Sequence, residues 1–545
     1  MITGRLKLNV MAFLCGLAGA TFLGNTPTFS QTPARVLKIG GEGIDNLSHM
    51  KIMDGSDLII AGVFDDDLAL GETILAPVGE NDVFLARING NNETMWAMSI
   101  GSDFDDDITG LALGLNDDIY ATGSFWLEAQ LGDFPLTSTQ SPKSIFLTKI
   151  SASTGTVAWA QKIEGSEVKV SKDMLLNHEE DIILSGFFSG TLFIGDTTLQ
   201  AASPTDLFVA SFYSDGNLNW ALNLGISGTA KALTSCILSN DNIVLGGIFN
   251  DTLKIANNSM VAETSDDDVF IACFSPEGEA LWATKAGGVH EEFLTALQAD
   301  DLDNIYASGH FVGVINLDDG SSIQSNTGWA DLFILKFSAA GEVLNAKRFG
   351  GPELQHNTAM EVTDDFIFLT GNFQGAMTIG DNNYDAGNQT AGFITRLDHD
   401  LIPQTGWTLK SEVNNVFPTC LTSDQMDNIF IGGAYGHDIS GIEALGPPLG
   451  LFDIFILGYP AGTVNALPGI MPLPEITVFP NPAAEKIQIR TSLKHFDIQM
   501  IDINGRILWQ GSNVFEIDVS NLAAGPYFIK IRSGMMEWQG KILVK

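Results

Sequence analysis

The feature that most limits how this chain can fold is a repeat of about 62 residues running through most of its length. One element recurs as an apolar stretch, usually opened by a polar residue: DVFLARI at Asp82, SIFLTKI at Ser144, DLFVASF at Asp206, DVFIACF at Asp268, DLFILKF at Asp331, GFITRL at Gly392 and DIFILGY at Asp453. The central phenylalanines, Phe84, Phe146, Phe208, Phe270, Phe333, Phe393 and Phe455, are 62, 62, 62, 63, 60 and 62 residues apart. A second series, from LIIAGVF to IFIGGAY, keeps the same beat and ends at Phe64, Phe125, Phe188, Phe249, Phe311, Phe373 and Tyr435.

Each unit is rich in β-branched and aromatic residues, is broken by Gly, Asn and Asp turns, and shows no long helical period, so its elements are strands. Four fit per unit. In the second they are ITGLALGL (A), IYATGSF (B), SIFLTKI (C) and VAWAQKI (D), with an extra hairpin around AQLGDFPL between B and C. A four-stranded unit repeated seven times buries its faces only against its neighbours, in a solenoid or a closed ring. Strand D follows strand C only six times, and the seventh unit ends at DIFILGY without one. RVLKIGG, at Arg35–Gly41, has the pattern of the missing strand. The predicted fold is therefore all-β: a seven-bladed β-propeller over 34–460 whose last blade is completed by the N-terminal strand.

Two side-chain series bear on packing. The strand B glycines (Gly62, Gly123, Gly186, Gly247, Gly309, Gly371 and Gly433) mark a close approach of blades or a bend in the strand. Trp96, Trp159, Trp220, Trp282 and Trp407 recur on strand D and are expected to pack between blades.

Arg5 and Lys7, the apolar run VMAFLCGLAGATFLG and the polar TPTFSQTPA have the three-part layout of a secretory leader over residues 1–30. The run is shorter than the roughly 20 residues of a spanning helix, so no transmembrane span is expected. Without the leader three cysteines remain, Cys236, Cys273 and Cys420, which read as buried small apolar residues. The net charge of −39, from 66 acidic against 27 basic residues, excludes nucleic acid and anionic membrane as partners.

After Tyr459 the Pro-rich PAGTVNALPGIMPLPE reads as a linker over 461–475. Residues 476–545 hold about seven short strands with turn signals, including Asn504-Gly505, and are expected to form a small Ig-like β-sandwich. FPNPAAEKIQI, DINGRIL, IDVSNLAAGPYFIKI and the closing GKILVK resemble the C-terminal sorting domain, type A, of the bacterial type IX secretion system. That resemblance implies the type IX secretion machinery as partner and export across both membranes of a member of the Bacteroidota. It further implies removal of leader and sorting domain, leaving the cargo secreted or attached to the outer surface.

Candidate ligand-binding residues come from the acidic loops joining strand D to the next strand A, GGEGIDN, GSDFDDD, GGVHEEF and GGPELQHN. They are Glu42, Asp45, Asp103, Asp105, Asp106, Asp107, Glu291, Glu292, Glu353 and His356. Carboxylates ringing a channel mouth suit a divalent cation such as calcium, or a cationic or glycan ligand; the plainer reading is solvated turn residues on an acidic exported protein. No cofactor is expected, and the acids opening strand C (Asp82, Asp206, Asp268, Asp331 and Asp453) read as repeated turn caps.

Enzyme motifs are missing: there is no G-x-S-x-G, H-E-x-x-H or G-x-x-x-x-G-K-[ST], and His290 in HEEFL lacks a second histidine. SASTGTVAW is similar to repeats of quinoprotein dehydrogenases and outer-membrane assembly propellers, but the adjacent cysteines of the former are absent. The favoured expectation is a non-catalytic binding or adhesion scaffold for an extracellular glycan or protein. The alternatives are a polysaccharide hydrolase or lyase working through paired carboxylates and a structural component of the cell surface.

Overall fold

The computed structural model describes residues 33–460, apart from 54–55, 141–142, 226, 257, 327–328 and 425, together with 477–545, apart from 480–482, 484–485, 492–495, 502–505, 521, 524 and 534–535. The expected leader, the linker 461–475 and the Asn504-Gly505 turn lie outside the described residues.

Among the described residues the chain is all-β, with one short 3-10 turn at Leu115–Asp117. Its first part contains seven successive antiparallel sheets built on the order A-B-C-D. In the first unit these strands are Asp45–Ile52, Leu58–Phe64, Asp82–Ile88 and Thr94–Ile100. The last sheet takes A, B and C from Val416–Ser423, Ile429–Tyr435 and Asp453–Tyr459, and its fourth strand is Arg35–Ile39. That strand runs antiparallel to Asp453–Tyr459, with Arg35 opposite Gly458 and Ile39 opposite Ile454.

Strands B and C are buried on both faces, as in Ile243–Phe249 and Asp268–Phe274, so they read as continuous apolar runs. The cores lie between neighbouring sheets. Phe333, Leu335 and Ile305 of the fifth unit cluster with Val244, Val269 and Cys273 of the fourth. Leu47, Met50 and Phe84 of the first unit share a cluster with Cys420, Phe430 and Ile454 of the seventh. The strand A of each unit also touches the next, as where Thr358 Oγ1 donates to Pro418 O at 2.8 Å, and Thr419 Oγ1 donates in turn to Leu47 O.

The strand B glycine answers to its own sheet, where the sequence pointed equally to contact between blades. A Cβ on Gly62 would stand 2.0 Å from Asn46 O and 2.8 Å from the Phe84 ring, and one on Gly309 would stand 2.0 Å from Phe293 O and 2.7 Å from the Phe333 ring. Strand A carries a β-bulge at this level in every unit, between Leu47 and His49 in the first and between Leu294 and Ala296 in the fifth. The bulge presses strand A toward strand B while the strand C phenylalanine crosses from the other side, and only hydrogen fits between them.

The tryptophans pack between neighbouring units as expected, in two arrangements. Trp96, Trp159, Trp220 and Trp282 each donate Nε1 to a carbonyl in the next unit's C–D turn, at Ala152, Ser214, Pro276 and Ala339. Each ring lies over the glycine of that turn: Gly155, Gly216, Gly278 and Gly341. Trp407 is two residues out of register with this series, because Thr405 is the residue opposite Arg396 in the way that Trp96 is opposite Arg87. Trp407 instead packs edge-on against Tyr459 at 5.1 Å. In the fifth sheet Asn345 takes the series position and donates Nδ2 to Asp400 O, and in the seventh Arg35 donates to Asn89 O.

Small B–C hairpins, such as Thr191–Ile194 with Thr197–Gln200, extend across to the strand D of the preceding unit, where Glu164 pairs with Phe193. The described residues of 477–545 form seven strands in two sheets. Ile487, Ile489 and Ile517 of one share a core with Ile498, Met500, Ile529 and Ile531 of the other. The three cysteines are buried, unpaired thiols, with Cys236 pushed well up by burial. Among the described residues no helix is long and apolar enough to cross a membrane.

Candidate functional site

Strand A begins at the D–A loop, and its first two residues have opposite fates. The first position, which in the second unit falls one residue ahead of the strand Asp107–Leu113, is buried in all seven units: Asp45, Asp106, Lys169, Ala230, Glu292, Gln355 and Val416. It stands level with the last residue of strand B, as Asp45 does with Phe64. The second residue is solvent-accessible in all seven: Asn46, Asp107, Val170, Lys231, Phe293, His356 and Phe417. The alternation follows from the two-residue period of a strand, whose successive side chains point to opposite faces.

The buried acids serve the loops above them. Asp45 Oδ2 accepts from Gly41 N at 2.7 Å, and Asp106 accepts from Ser102 N and from Ser102 Oγ at 2.8 Å. In the sixth unit Gln355 Oε1 accepts from Gly351 N in the same way. Burial pushes the Asp45 carboxyl up to about 7, and the Asp453, Asp65 and Asp66 charges add to this against the Gly41 N–H. Burial likewise pushes Asp106 up to about 6. Glu292 goes furthest, to about 9, first through burial and then through Asp268, against the pull of the Gly288 N–H.

The acids that open strand C lie in the same buried layer, and Asp82, Asp206, Asp268, Asp331 and Asp453 are all fully buried. Each accepts a backbone N–H from the B–C loop before it, for example Asp331 from Asn326 N at 2.6 Å and Asp453 from Leu449 N at 2.8 Å. The strand D glycine makes room for the carboxyl, since a Cβ on Gly287 would lie 2.1 Å from Asp268 Cγ. Cations from strand D meet three of them: Lys38 with Asp453, Lys285 with Asp268 and Arg348 with Asp331.

Of the candidates read from sequence, Asp45, Asp106 and Glu292 therefore sit beneath the loops, and Glu42, Asp103, Asp105, Glu291 and Glu353 lie exposed on them. Asp105 accepts from Asn81 Nδ2. Asp107 and His356 alone hold accessible second positions on strand A. Asp107 is exposed, and the protein around it raises its pKa against the pull of Lys143, the Ile108 N–H and Lys172. Among the described residues no three His, Cys, Asp or Glu side chains come together in a way that would hold a metal ion.

The same level carries side chains that the acidic motifs did not single out. Phe293 stacks on His310 with centroids 5.2 Å apart, and His310 stacks on His356 of the next unit at 4.3 Å. Burial and the neighbouring His356 push His310 down to about 4, and burial also lowers His356. Lys231 lies over the Phe187 ring at 5.7 Å, and Phe417 meets Phe452 at 5.9 Å. Phe293 is 45% exposed. Aligning the repeats and reading the column one residue into strand A finds Lys231, Phe293, His356 and Phe417, but not their ring partners Phe187, His310 and Phe452 on or beside other strands.

Residues 477–545 match the family model described as the Secretion system C-terminal sorting domain. An uncharacterized WD repeat-containing protein, L264 of Acanthamoeba polyphaga mimivirus, is 22% identical over 514 residues, covering 76% of this chain. The chain spans only 37% of that relative's length. Among solved structures, a polysaccharide lyase titled PL25 ulvanlyase covers 77% of this chain and 95% of its own at 12% identity and a TM-score of 0.39. The phage phi92 endosialidase covers 93% and 87% at 8% identity and 0.35, and the Neurospora crassa Pan2 WD40 domain 65% and 89% at 10% and 0.31. Scores this low carry no argument about chemistry. The matched tail and the repeated sheets make this an exported β-propeller-like repeat protein that carries a type IX secretion system C-terminal sorting domain.

Proposed function

We propose that residues 34–460 form a closed seven-bladed propeller that acts, after export, as a non-catalytic scaffold holding an extracellular glycan at the face bearing the D–A and B–C loops. Ring closure is supported by the pairing of Arg35–Ile39 with Asp453–Tyr459 and by the core shared between first and last units. In this reading 1–30 is a leader, 461–475 a linker and 476–545 an Ig-like sorting sandwich handled by the type IX machinery.

The observation that carries the binding role is the Phe293–His310–His356 stack. Stacked rings of which one is 45% exposed offer an apolar platform to the C–H face of a sugar, and Asn46, Asp107 and Lys231 at the same level offer hydroxyl partners. A binding role without hydrolysis is favoured because Asp45, Asp106 and Glu292 are turned into the protein, where a general acid does not reach a substrate.

The test is a glycan array probed with the mature protein, with product release followed in parallel. Phe293→Ala is expected to weaken binding about tenfold without changing the melting temperature. Accumulation of new sugar ends that is abolished by Asp106→Asn or Glu292→Gln would overturn the non-catalytic reading.

A further inference from the structure

The turn face, formed by the A–B and C–D turns, repeats its contacts from unit to unit through the tryptophan bonds, and the loop face opposite it does not. In the second unit Phe104, on the D–A loop, meets Trp126, the last residue of strand B (Asp118–Trp126), with ring centroids 5.8 Å apart at 47°. Phe104 is 43% exposed and Trp126 is half-buried. The equivalent places hold Gly43 and Asp65 in the first unit, Glu167 and Ser189 in the third, and Gly228 and Asn250 in the fourth, so the repeat does not need the pair.

Both rings are held from below. The buried Asp106 carboxyl accepts from Ser102 N and Oγ, two residues before Phe104, and from Trp126 N at 3.3 Å. On the other side of Phe104, Asp105 accepts from Asn81 Nδ2 and Asp106 N donates to Asn81 O at 2.8 Å, which ties the loop to the first unit. Lys143, opposite Trp126 on strand C, lies 5.9 Å over the indole. An exposed ring on a loop fixed at both ends has little ordering left to lose when a ligand covers it.

In a ring of seven units the second is three steps from the fifth in one direction and three from the sixth in the other. The closure proposed above therefore sets Phe104 and Trp126 across the channel mouth from the Phe293–His310–His356 stack. Seven sheets packed about 10 Å apart make a ring about 70 Å around and about 20 Å across, a span of roughly four or five pyranose rings.

Resting on the glycan reading above, we infer that Phe104 and Trp126 form a second sugar platform, and that the ligand is a neutral linear polysaccharide lying across the mouth from one platform to the other. Each platform offers aromatic surface to the C–H face of a sugar. Asp103, Asp105 and Asp107 stand exposed beside the one, and Glu353 stands exposed on the loop before the other, so hydroxyls find acceptors at both ends while a polyanion meets like charge. Lys143 and Lys172, the cations that act on Asp107, offset part of this charge. A chain that touches both platforms gains about 10²–10⁴-fold over one that reaches a single platform.

The full chain is titrated calorimetrically with cello-, xylo-, manno- and laminari-oligosaccharides, from disaccharide to octasaccharide, and with polygalacturonate as a polyanion. In the series that binds, the octasaccharide is expected to bind about 100-fold more tightly than the disaccharide, one per protein against two, and polygalacturonate not measurably. Phe104→Ala is expected to weaken the octasaccharide about tenfold and to leave one disaccharide per protein, with the melting temperature unchanged because the ring is exposed; Phe104→Ala with Phe293→Ala is expected to abolish both. An octasaccharide no tighter than the disaccharide, or one weakened by Phe293→Ala but not by Phe104→Ala, would overturn the second platform and leave the first standing. Binding of polygalacturonate at the octasaccharide level would overturn the neutral class, and no binding in any series would overturn both platforms.

Discussion

The two faces of the repeat array handle the same 62-residue plan in opposite ways. On the turn face one device recurs: a strand D side chain bonds the C–D turn of the next unit, through Trp96, Trp159, Trp220 and Trp282 and also through Asn345 and Arg35. On the loop face the buried first layer is held by capped acids, while the accessible layer above it changes from Asn46 to Asp107, Val170, Lys231, Phe293, His356 and Phe417. Where the backbone is fixed by a repeated bulge and a repeated glycine, the side chain above it is free to vary without cost to the fold. A departure from the repeat therefore marks a place where chemistry can be added, and the Phe104–Trp126 pair of the second unit is such a departure on the loop face.

If the repeated layer is what holds the units, truncating it should have the largest effect. Phe333 is 1% exposed, lies against Gly309 and meets Phe311 edge-on at 6.1 Å. Phe333→Ala is expected to lower stability by about 3–5 kcal/mol, read from denaturant unfolding. Phe84→Ala should match it, since Phe84 makes the same contacts with Gly62 and Phe64. A large difference between the two would mean that the units are not equivalent supports.

This layer was legible in the sequence because phenylalanine and glycine columns survive any shift of reading frame within a unit. The orphan strand Arg35–Ile39 was legible for the same reason, as a pattern with a matching gap at the other end. The acidic loops were not, because DFDDD offers four carboxylates and the strand period decides their fates only once the register is known. The register is set by the bulge opposite Gly123, which puts Asp106 inside and Asp107 outside. The Phe104–Trp126 pair was not legible either, because the loop and the strand end that carry it are brought together by the Asp106 carboxyl.

The capped acids give the next effect, with a sign that depends on pH. The Glu292 carboxyl has an ordinary value of 4.5 and rises to about 9 in the folded protein, so the native state binds its proton more tightly than the unfolded state. Its contribution is fully present below about pH 4.5 and is lost as pH rises toward about 9. Glu292→Gln removes that loss, and Gln355 already fills the equivalent place in the sixth unit, bonded to Gly351 N and to Glu353 O. The variant is expected to gain about 1–3 kcal/mol at pH 8 and nothing at pH 4, read as a melting-temperature difference that widens with pH. A difference independent of pH would mean that the carboxyl is not buried as its proton.

The smallest effect tests whether the turn face depends on the tryptophan ring or only on its hydrogen bond. Trp282 donates to Ala339 O at 3.0 Å and covers Gly341, whose φ of 81° is a conformation that favours glycine. Asn345 reaches the next carbonyl along its turn, Asp400 O, at 2.7 Å with a far smaller side chain, and that turn has Leu401 in the left-handed place, fully buried. The two solutions differ in which partner supplies the apolar cover: the ring in one, the leucine in the other. Trp282→Asn leaves a side chain of the kind that bonds the turn in the fifth unit and removes the cover, so it is expected to cost about 1–2 kcal/mol, less than truncating a fully buried aromatic because the Trp282 ring is only half-buried. Adding Gly341→Asn, a residue that tolerates the left-handed region, should recover little, because it restores neither ring nor leucine. Full recovery by that second change would show that backbone strain in the turn, and not the apolar cover, is what the tryptophans relieve.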